Sequence, residues 1–266
     1  MAESPVIVIS GASSGIGEAT ARIFAQNGYR VVLAARRQER LASLAEEIGV
    51  AGGEALAVGT DVSRLESIQK LVETALSHYG QIDVLFNNAG FGRLNWLEEL
   101  DPVQDIQALI QVNVLGLIQL TQATLPHMIE RRGGHIINMA SIAGWVATPT
   151  YSVYAASKFA IRGFTDALRR EVRVWGVQVS GIYPGAVETE FSLHTGMRRK
   201  TGIGTPRRLR LSSEQVGRAV FQLVQRPRRT VILPWQLVPG IWLNTFFPGL
   251  ADRIMEWGFV RRERLR

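Results

Sequence analysis

Short runs of Val and Ile alternate along the chain with longer stretches in which apolar residues recur every three or four positions. The first pattern fits strands buried on both faces and the second fits amphipathic helices, so their alternation reads as βα units building a parallel sheet. Strands are expected at Val6–Ser10, Arg30–Ala34, Ala55–Gly59, Val84–Asn87, His135–Ala140, Val177–Tyr183 and Val231–Leu233. Helices are expected at Gly15–Asn27, Gln38–Ile48, Leu65–His78, Val103–Glu130, Ser152–Val174 and Ser213–Val224. Asp101-Pro102 has the form of an N-cap with proline at the first helical position, and Asn27-Gly28 and Gly80 supply glycine where helices stop. The fold class is α/β, with about seven strands.

A chain of 266 residues, 46% hydrophobic and 20% charged, fits one globular domain over residues 1–266. Within it, the basic, glycine-containing stretch at about 188–212 reads as a flap, and an apolar extension occupies about 234–266. The absence of cysteine excludes disulfides, thiolate zinc sites and a cysteine nucleophile. The four histidines, His78, His127, His135 and His194, are too scattered to suggest a metal cluster, so no metal is expected. The N-terminus carries no basic leader or signal-length apolar run, which points to the cytoplasm. The net charge of +7 comes largely from arginine clusters and suits phosphate-bearing partners. No basic-aromatic alternation accompanies it, so nucleic acid is not expected.

One phosphate position follows from the pattern. Ser10-Gly11-Ala12-Ser13-Ser14-Gly15-Ile16-Gly17 lies between the first strand and the first helix, where glycine lets backbone approach a pyrophosphate and the helix N-terminus offers unpaired amides. About 20 residues on, at the end of the second strand, an acidic side chain would bond a ribose 2′-hydroxyl and an arginine would receive a 2′-phosphate. The chain places Arg36 and Arg37 there, with no carboxylate, so NADP(H) is the expected cofactor.

A second constellation lies downstream. Tyr154 and Lys158 are four positions apart, and on a helix such residues share a face with Cβ atoms about 5 to 6 Å apart. A nearby cation lowers a phenol's pKa from about 10, and Ser141 would stand at the end of the fifth strand. Tyr151 is a competitor for the role, but it lies two turns from Lys158. Together the three groups could move a proton onto or off a carbonyl oxygen. Asn113, inside an apolar helix, also reads as a satisfied core amide, and Asn87 as a bridge between strands.

With the glycine turn, Asn87-Asn88-Ala89-Gly90, Asn113, Ser141, Tyr154, Lys158 and Pro184-Gly185-x-Val187-x-Thr189 in order, the chain resembles the short-chain dehydrogenase/reductase family from about Val6 to Thr189. The resemblance implies a doubly wound parallel sheet of Rossmann type, with helices on both faces, binding a nicotinamide dinucleotide. It implies Tyr154 as general acid/base, Lys158 as the group that lowers its pKa and holds the nicotinamide ribose, Ser141 as the group orienting substrate, and Asn113 as anchor of a relay water. By the same resemblance Gly11, Ser14 (or Ser13), Ile16 and Gly17 meet the pyrophosphate. Asp61 and Val62 meet adenine, Asn88, Ala89 and Gly90 wall the ribose, and Pro184, Gly185, Val187 and Thr189 carry the nicotinamide anchor. NADP-preferring members often carry a basic residue within the glycine turn, where this chain has Ser13 and Ser14, which would leave Arg36 and Arg37 to hold the phosphate alone.

Ile142, Trp145, Val146, Ala147, Tyr151, Phe91, Phe191 and Leu193 suggest an apolar pocket for a small-molecule carbonyl compound or secondary alcohol. The expected activity is an NADP(H)-dependent oxidoreductase working in the reducing direction. Alternatives are a 3-oxoacyl thioester reductase and a non-catalytic dinucleotide-binding regulator. Thr230 to Ala251 carries no charge, but Pro234, Pro239 and Pro248 break it as a spanning helix. Its Trp and Phe residues suit a lid, a subunit contact or a peripheral membrane contact. The resemblance also implies a homodimer or homotetramer built through the two long helices around Val103–Glu130 and Ser152–Val174.

Overall fold

Alternate residues of a strand face opposite sides of a sheet, and in the computed structural model, which describes residues 4–191 and 205–265, each side has its own helices. The strands are β1 (Val6–Ser10), β2 (Arg30–Ala35), β3 (Glu54–Gly59), β4 (Val84–Asn87), β5 (His135–Met139), β6 (Gln178–Pro184), β7 (Val187–Glu188), β8 (Leu211–Ser212) and β9 (Thr230–Leu233). The helices are α1 (Gly15–Gln26), α2 (Gln38–Val50), α3 (Leu65–Tyr79), α4 (Pro102–Glu130), α5 (Ser152–Val172), α6 (Ser213–Gln225), α7 (Val238–Phe246) and α8 (Pro248–Met255).

Ile7, Ile9, Val31 and Leu33 meet Phe24 of α1, Leu41 and Leu44 of α2, and Val216 and Val220 of α6. Their neighbours Val6, Val8, Val32 and Ala34 point the other way, to Ile68 and Leu71 of α3, Leu120 and Met128 of α4, and Leu168 and Val172 of α5. Burial on both faces is why these strands are continuous Val/Ile runs rather than alternating ones. The main sheet has the order β3-β2-β1-β4-β5-β6-β9, every pair parallel. This is the doubly wound Rossmann-type sheet. Its order reverses between β1 and β4, and ligands of such sheets bind in the crevice beyond that reversal.

The seven expected strands are all present in the main sheet. Asp101 caps α4 as expected, its carboxylate accepting from Val103 N at 2.9 Å and Gln104 N at 2.7 Å. Gly28 (φ +80°) and Gly80 (φ +71°) stand where α1 and α3 end. Two features go beyond the expectation. The first half of α4 is widened into π-helical turns at Pro102–Gln107 and Gln111–Gly116, a geometry frequent at functional sites. The other is the short β7-β8 ladder, which pairs Val187 with Leu211 and Glu188 with Ser212. Most of the expected flap, with Leu193 and the Arg198-Arg199-Lys200 cluster, lies outside the described residues. Helix α5 stops at Val172 instead of Val174, its last residues tightening into a 3-10 turn at Arg173–Trp175 before Gly176 (φ +75°).

Helix α4 is long and apolar enough to cross a membrane by length and composition. Here Leu109, Asn113, Leu117, Leu120, Thr124 and Met128 are buried along it, as befits a helix covering a sheet.

His135 opens β5 with its ring enclosed and Nε2 2.8 Å from Ser180 Oγ, and burial pushes its pKa down to about 4 from the ordinary 6.5. The unfolded chain therefore takes up a proton between pH 6.5 and 4 where the folded one does not, so acid favours unfolding across that window. The full effect is about 3 kcal/mol. Urea unfolding across that range should show wild type losing more stability than His135→Gln; equal losses would contradict the assignment.

Candidate active site

At the sheet reversal, backbone meets backbone. Gly11 has φ +70°, and a Cβ there would lie 2.9 Å from Ala89 Cα; a Cβ on Gly17 would run into the Gly11 carbonyl oxygen. The turn and the loop after β4 are stitched by Ser10, whose Oγ accepts from Asn88 N and Ala89 N, both at 3.0 Å. Asn88 Nδ2 returns bonds to Ser10 O at 3.0 Å and Gly11 O at 3.2 Å. Ser14 precedes α1 in extended geometry without a side-chain capping bond, and the first-turn amides that it leaves uncapped suit an anion. Ile16 packs on the core beneath, and Thr189 lies against Gly15, its Cγ2 3.1 Å from where a Cβ would stand.

The two arginines after β2 separate. Arg36 faces Asp61, whose carboxyl burial would raise, but bonds from Ser63 and the charges of Arg36 and Arg64 bring it below its ordinary range. Val62 beside it is buried, its carbonyl against Gly116 in the π-helical part of α4. Arg37 folds over the glycine turn: Nη2 donates to Ser14 Oγ at 2.6 Å and Nε to Ser13 Oγ at 3.1 Å. Its Nη1 lies 3.0 Å from Glu190 Oε2, and Arg40, one helical turn on, donates to Glu190 Oε1 at 2.8 Å.

On the other side of the reversal stand Ser141, Tyr154 and Lys158. Ser141 leaves β5 in extended backbone and its Oγ accepts from Ala143 N at 3.1 Å, which fixes the side chain. Tyr154 lies in the first turn of α5, with its hydroxyl near enough to Ser141 for the serine to draw its pKa down. Lys158 follows one turn later, Nζ donating to Met139 O at 3.1 Å and lying 5.5 Å from the Tyr154 ring centroid. Burial pushes the lysine down to about 8. Burial also drives the phenol well above 10, Ser141 draws it back, and the neighbouring Tyr151 raises it further. The lowering expected from Lys158 is not present in this geometry: burial sets the phenol's shift, and the ammonium donates to the Met139 carbonyl instead.

Asn113 sits in the second π-helical stretch, wholly enclosed. Its Oδ1 accepts from Phe91 N at 2.9 Å, and Nδ2 donates to Phe91 O at 2.8 Å and Ser157 Oγ at 3.3 Å. The amide thus clamps the chain just past Gly90, where an added Cβ would come within 2.9 Å of that same Oδ1. Asn87 bridges strands as expected, donating to Asn138 Oδ1 at 2.9 Å and Thr121 Oγ1 at 2.8 Å. Pro184 ends β6, Gly185 N donates to Leu233 O at 2.6 Å, and Val187 opens β7.

Around Tyr154 the walls are apolar. The rings of Tyr151 and Phe191 both lie 5.7 Å from its own, with Phe91, Leu109 and Ile110 in the same cluster. Trp145, expected in this pocket, packs instead edge-on to Tyr183 at 5.7 Å and beneath Arg162 at 3.4 Å. Leu193 lies outside the described residues. Sequence reasoning missed Arg40, which helical spacing from Arg37 could have suggested. It also missed Glu190, which nothing in the local pattern ties to residues some 150 positions earlier.

The model for short chain dehydrogenase matches residues 5–199, and the chain belongs to the short-chain dehydrogenase/reductase family. It is an oxidoreductase of that family. An uncharacterized oxidoreductase of Staphylococcus saprophyticus is 35% identical over 239 residues, 88% of this chain and 96% of its own. Among solved structures, a short-chain dehydrogenase/reductase from Burkholderia phymatum in complex with NAD has a TM-score of 0.83 at 29% identity, covering 94% of this chain and 96% of its own. An alcohol dehydrogenase from Thermococcus sibiricus complexed with 5-hydroxy-NADP has a TM-score of 0.77 at 31% identity, covering 87% and 95%.

Proposed function

We propose that the protein is an NADP(H)-dependent oxidoreductase that interconverts a carbonyl and a secondary alcohol on an apolar small molecule, chiefly by reduction. The observation that carries this reading is the convergence of Ser141 at the end of β5 with Tyr154, and with Lys158 enclosed one turn away, among apolar side chains at the sheet reversal.

The residues present fit a nicotinamide dinucleotide. The uncapped amides at the N-terminus of α1 suit a pyrophosphate, brought within reach by the close packing of Gly11 on Ala89 and of Gly17 on the Gly11 carbonyl, and Asp61 and Val62 suit adenine. Asn88, Ala89 and Gly90 line the crevice at β4; Pro184, Gly185, Val187 and Thr189 stand on its far wall. When bound, the cofactor supplies or accepts hydride. The chain supplies the oxygen chemistry: the Ser141 and Tyr154 hydroxyls both reach one small region and can donate to one substrate oxygen as charge builds there. In reduction the Tyr154 hydroxyl gives its proton to that oxygen. Lys158 lies where its ammonium can stabilise the phenolate left behind, and Asn113 fixes the loop that closes this side.

Preference for NADP(H) rests on Arg37, bonded to Ser13, and Arg40 reaching one point at Glu190, with no carboxylate at the end of β2. Arg36, turned to Asp61, serves the adenine side. Nicotinamide absorbance followed with a panel of apolar ketones should show turnover with kcat/KM higher for NADPH than for NADH. A higher value with NADH would contradict the cofactor assignment, and no oxidation of either across the panel would contradict the reductase reading.

The long helices α4 and α5 expose Leu115 and Phe159, which supports a homo-oligomer built through them. The C-terminal hairpin of α7 and α8 is turned inside out relative to a core pair. Ile241 and Ala251 are buried, while Trp242, Phe246, Phe247 and Leu250 are at least half exposed. Arg261 stacks on Trp257 at 4.1 Å, and Arg253 and Arg262 are exposed beside it. Aromatic residues bordered by arginines suit an anionic lipid surface. The hairpin is tied to the turn that follows Ser141 by Asn244 Nδ2 to Trp145 O at 3.4 Å. Vesicles rich in phosphatidylserine should float wild type, and a triple variant Trp242→Ser, Phe246→Ser, Phe247→Ser should stay at the bottom of the gradient. Equal behaviour of the two proteins would rule out this contact.

A further inference from the structure

Arg37 and Arg40 present two guanidinium groups to one point over the glycine turn, and a carboxylate of this same chain already stands there. Glu190 accepts from Arg37 Nη1 at 3.0 Å and from Arg40 Nη1 at 2.8 Å, while Arg37 keeps its other nitrogens on Ser13 and Ser14. The three side chains are roughly two-fifths to one-half exposed, so the ion pairs add little to stability and can exchange in water. Glu190 follows Thr189, the residue lying against Gly15, and so reaches the turn from the opposite wall of the crevice.

We infer that Glu190 is a cofactor-selecting residue: it holds the anion seat formed by Arg37 and Arg40 and competes there with the 2′-phosphate of NADP(H). This rests on the reading above that the arginine pair receives that phosphate. A guanidinium edge engaged by one oxyanion is not free for another, and a phosphate monoester of about −1.5 to −2 charge is repelled by a carboxylate in the same place. The 2′-hydroxyl of NAD(H) is neutral and meets no such conflict. The arginines hold the carboxyl of Glu190 down to about 2, first Arg40 and then Arg37, so it stays ionised at any working pH and competes throughout. Glu190 thus narrows the gap between the two cofactors instead of widening it. The arginines favour NADP(H), and the carboxylate moderates them.

The test is titration calorimetry of NADPH and NADH into wild type, Glu190→Gln and Arg37→Gln, with thermal melting to verify folding. Removing the charge from Glu190 should tighten NADPH by about three- to tenfold, the scale of one or two exposed charge interactions, and move NADH by less than about twofold. If wild type prefers NADPH and Arg37→Gln weakens it, but Glu190→Gln binds NADPH no more tightly, the competition is overturned while the cofactor assignment stands. If wild type prefers NADH and Arg37→Gln leaves NADPH unchanged, the underlying assignment fails and this inference fails with it. Equal tightening of both nucleotides would also overturn it, since relief of general crowding, not release of a phosphate seat, would then be the cause.

Discussion

Taking an ammonium and a phenol out of water destabilises the charged form of each, and the site is organised around that constraint. Lys158 is drawn toward neutrality and Tyr154 is held protonated, so burial leaves the proton on the tyrosine, where a reduction needs it. The Met139 carbonyl makes the lysine's burial tolerable, and Ser141 stands near the phenol. Once a proton has left the tyrosine, a negative oxygen stands in the same low-dielectric space as the ammonium. Attraction there is stronger than in water, so the burial that raises the resting phenol also helps its conjugate base.

The position of that pair is a consequence of the sheet. β5 delivers Ser141 and the Met139 carbonyl, α5 delivers Tyr154 and Lys158 a turn apart, and Asn113 in the widened part of α4 ties down the loop after β4. Across the reversal the glycine turn is packed so closely on Ala89 that no side chain fits between, and the uncapped N-terminus of α1 faces the crevice beside it. Arg37 before α2, Arg40 within it and the carboxylate of Glu190 meet at the far end of the same groove, where the proposed function places the cofactor's phosphate. On the proposed function, chemistry and cofactor choice would be separated along one crevice, joined by the segment from Pro184 to Glu190.

Much of this was legible in the sequence for a physical reason. Strands buried on both faces must be written as apolar runs, so Val6–Ser10 and Val84–Asn87 are found to the residue. The i, i+4 spacing of Tyr154 and Lys158 survives because a helix is a local structure. What failed was whatever depends on residues distant in the chain or on irregular backbone. The π-helical turns around Asn113 have no compositional signature, Trp145 went to Tyr183 and Arg162 instead of the pocket, and Glu190 meets Arg37 across 153 positions. In the uncharged C-terminal stretch the prolines argue against a spanning helix but do not by themselves place the elements. Its prolines, Pro239 and Pro248, in fact stand at the starts of α7 and α8 and mark two short helices.

The central claim is that the Tyr154 hydroxyl transfers the proton while the rest of the crevice holds the nucleotide. Comparison of wild type with Tyr154→Phe, in both kcat on an accepted ketone and Kd for NADPH, tests it most directly. The account predicts a fall in kcat of about 10² or more with Kd changed by less than about threefold. Turnover retained at the wild-type rate, or lost only in proportion to weakened nucleotide binding, would contradict it.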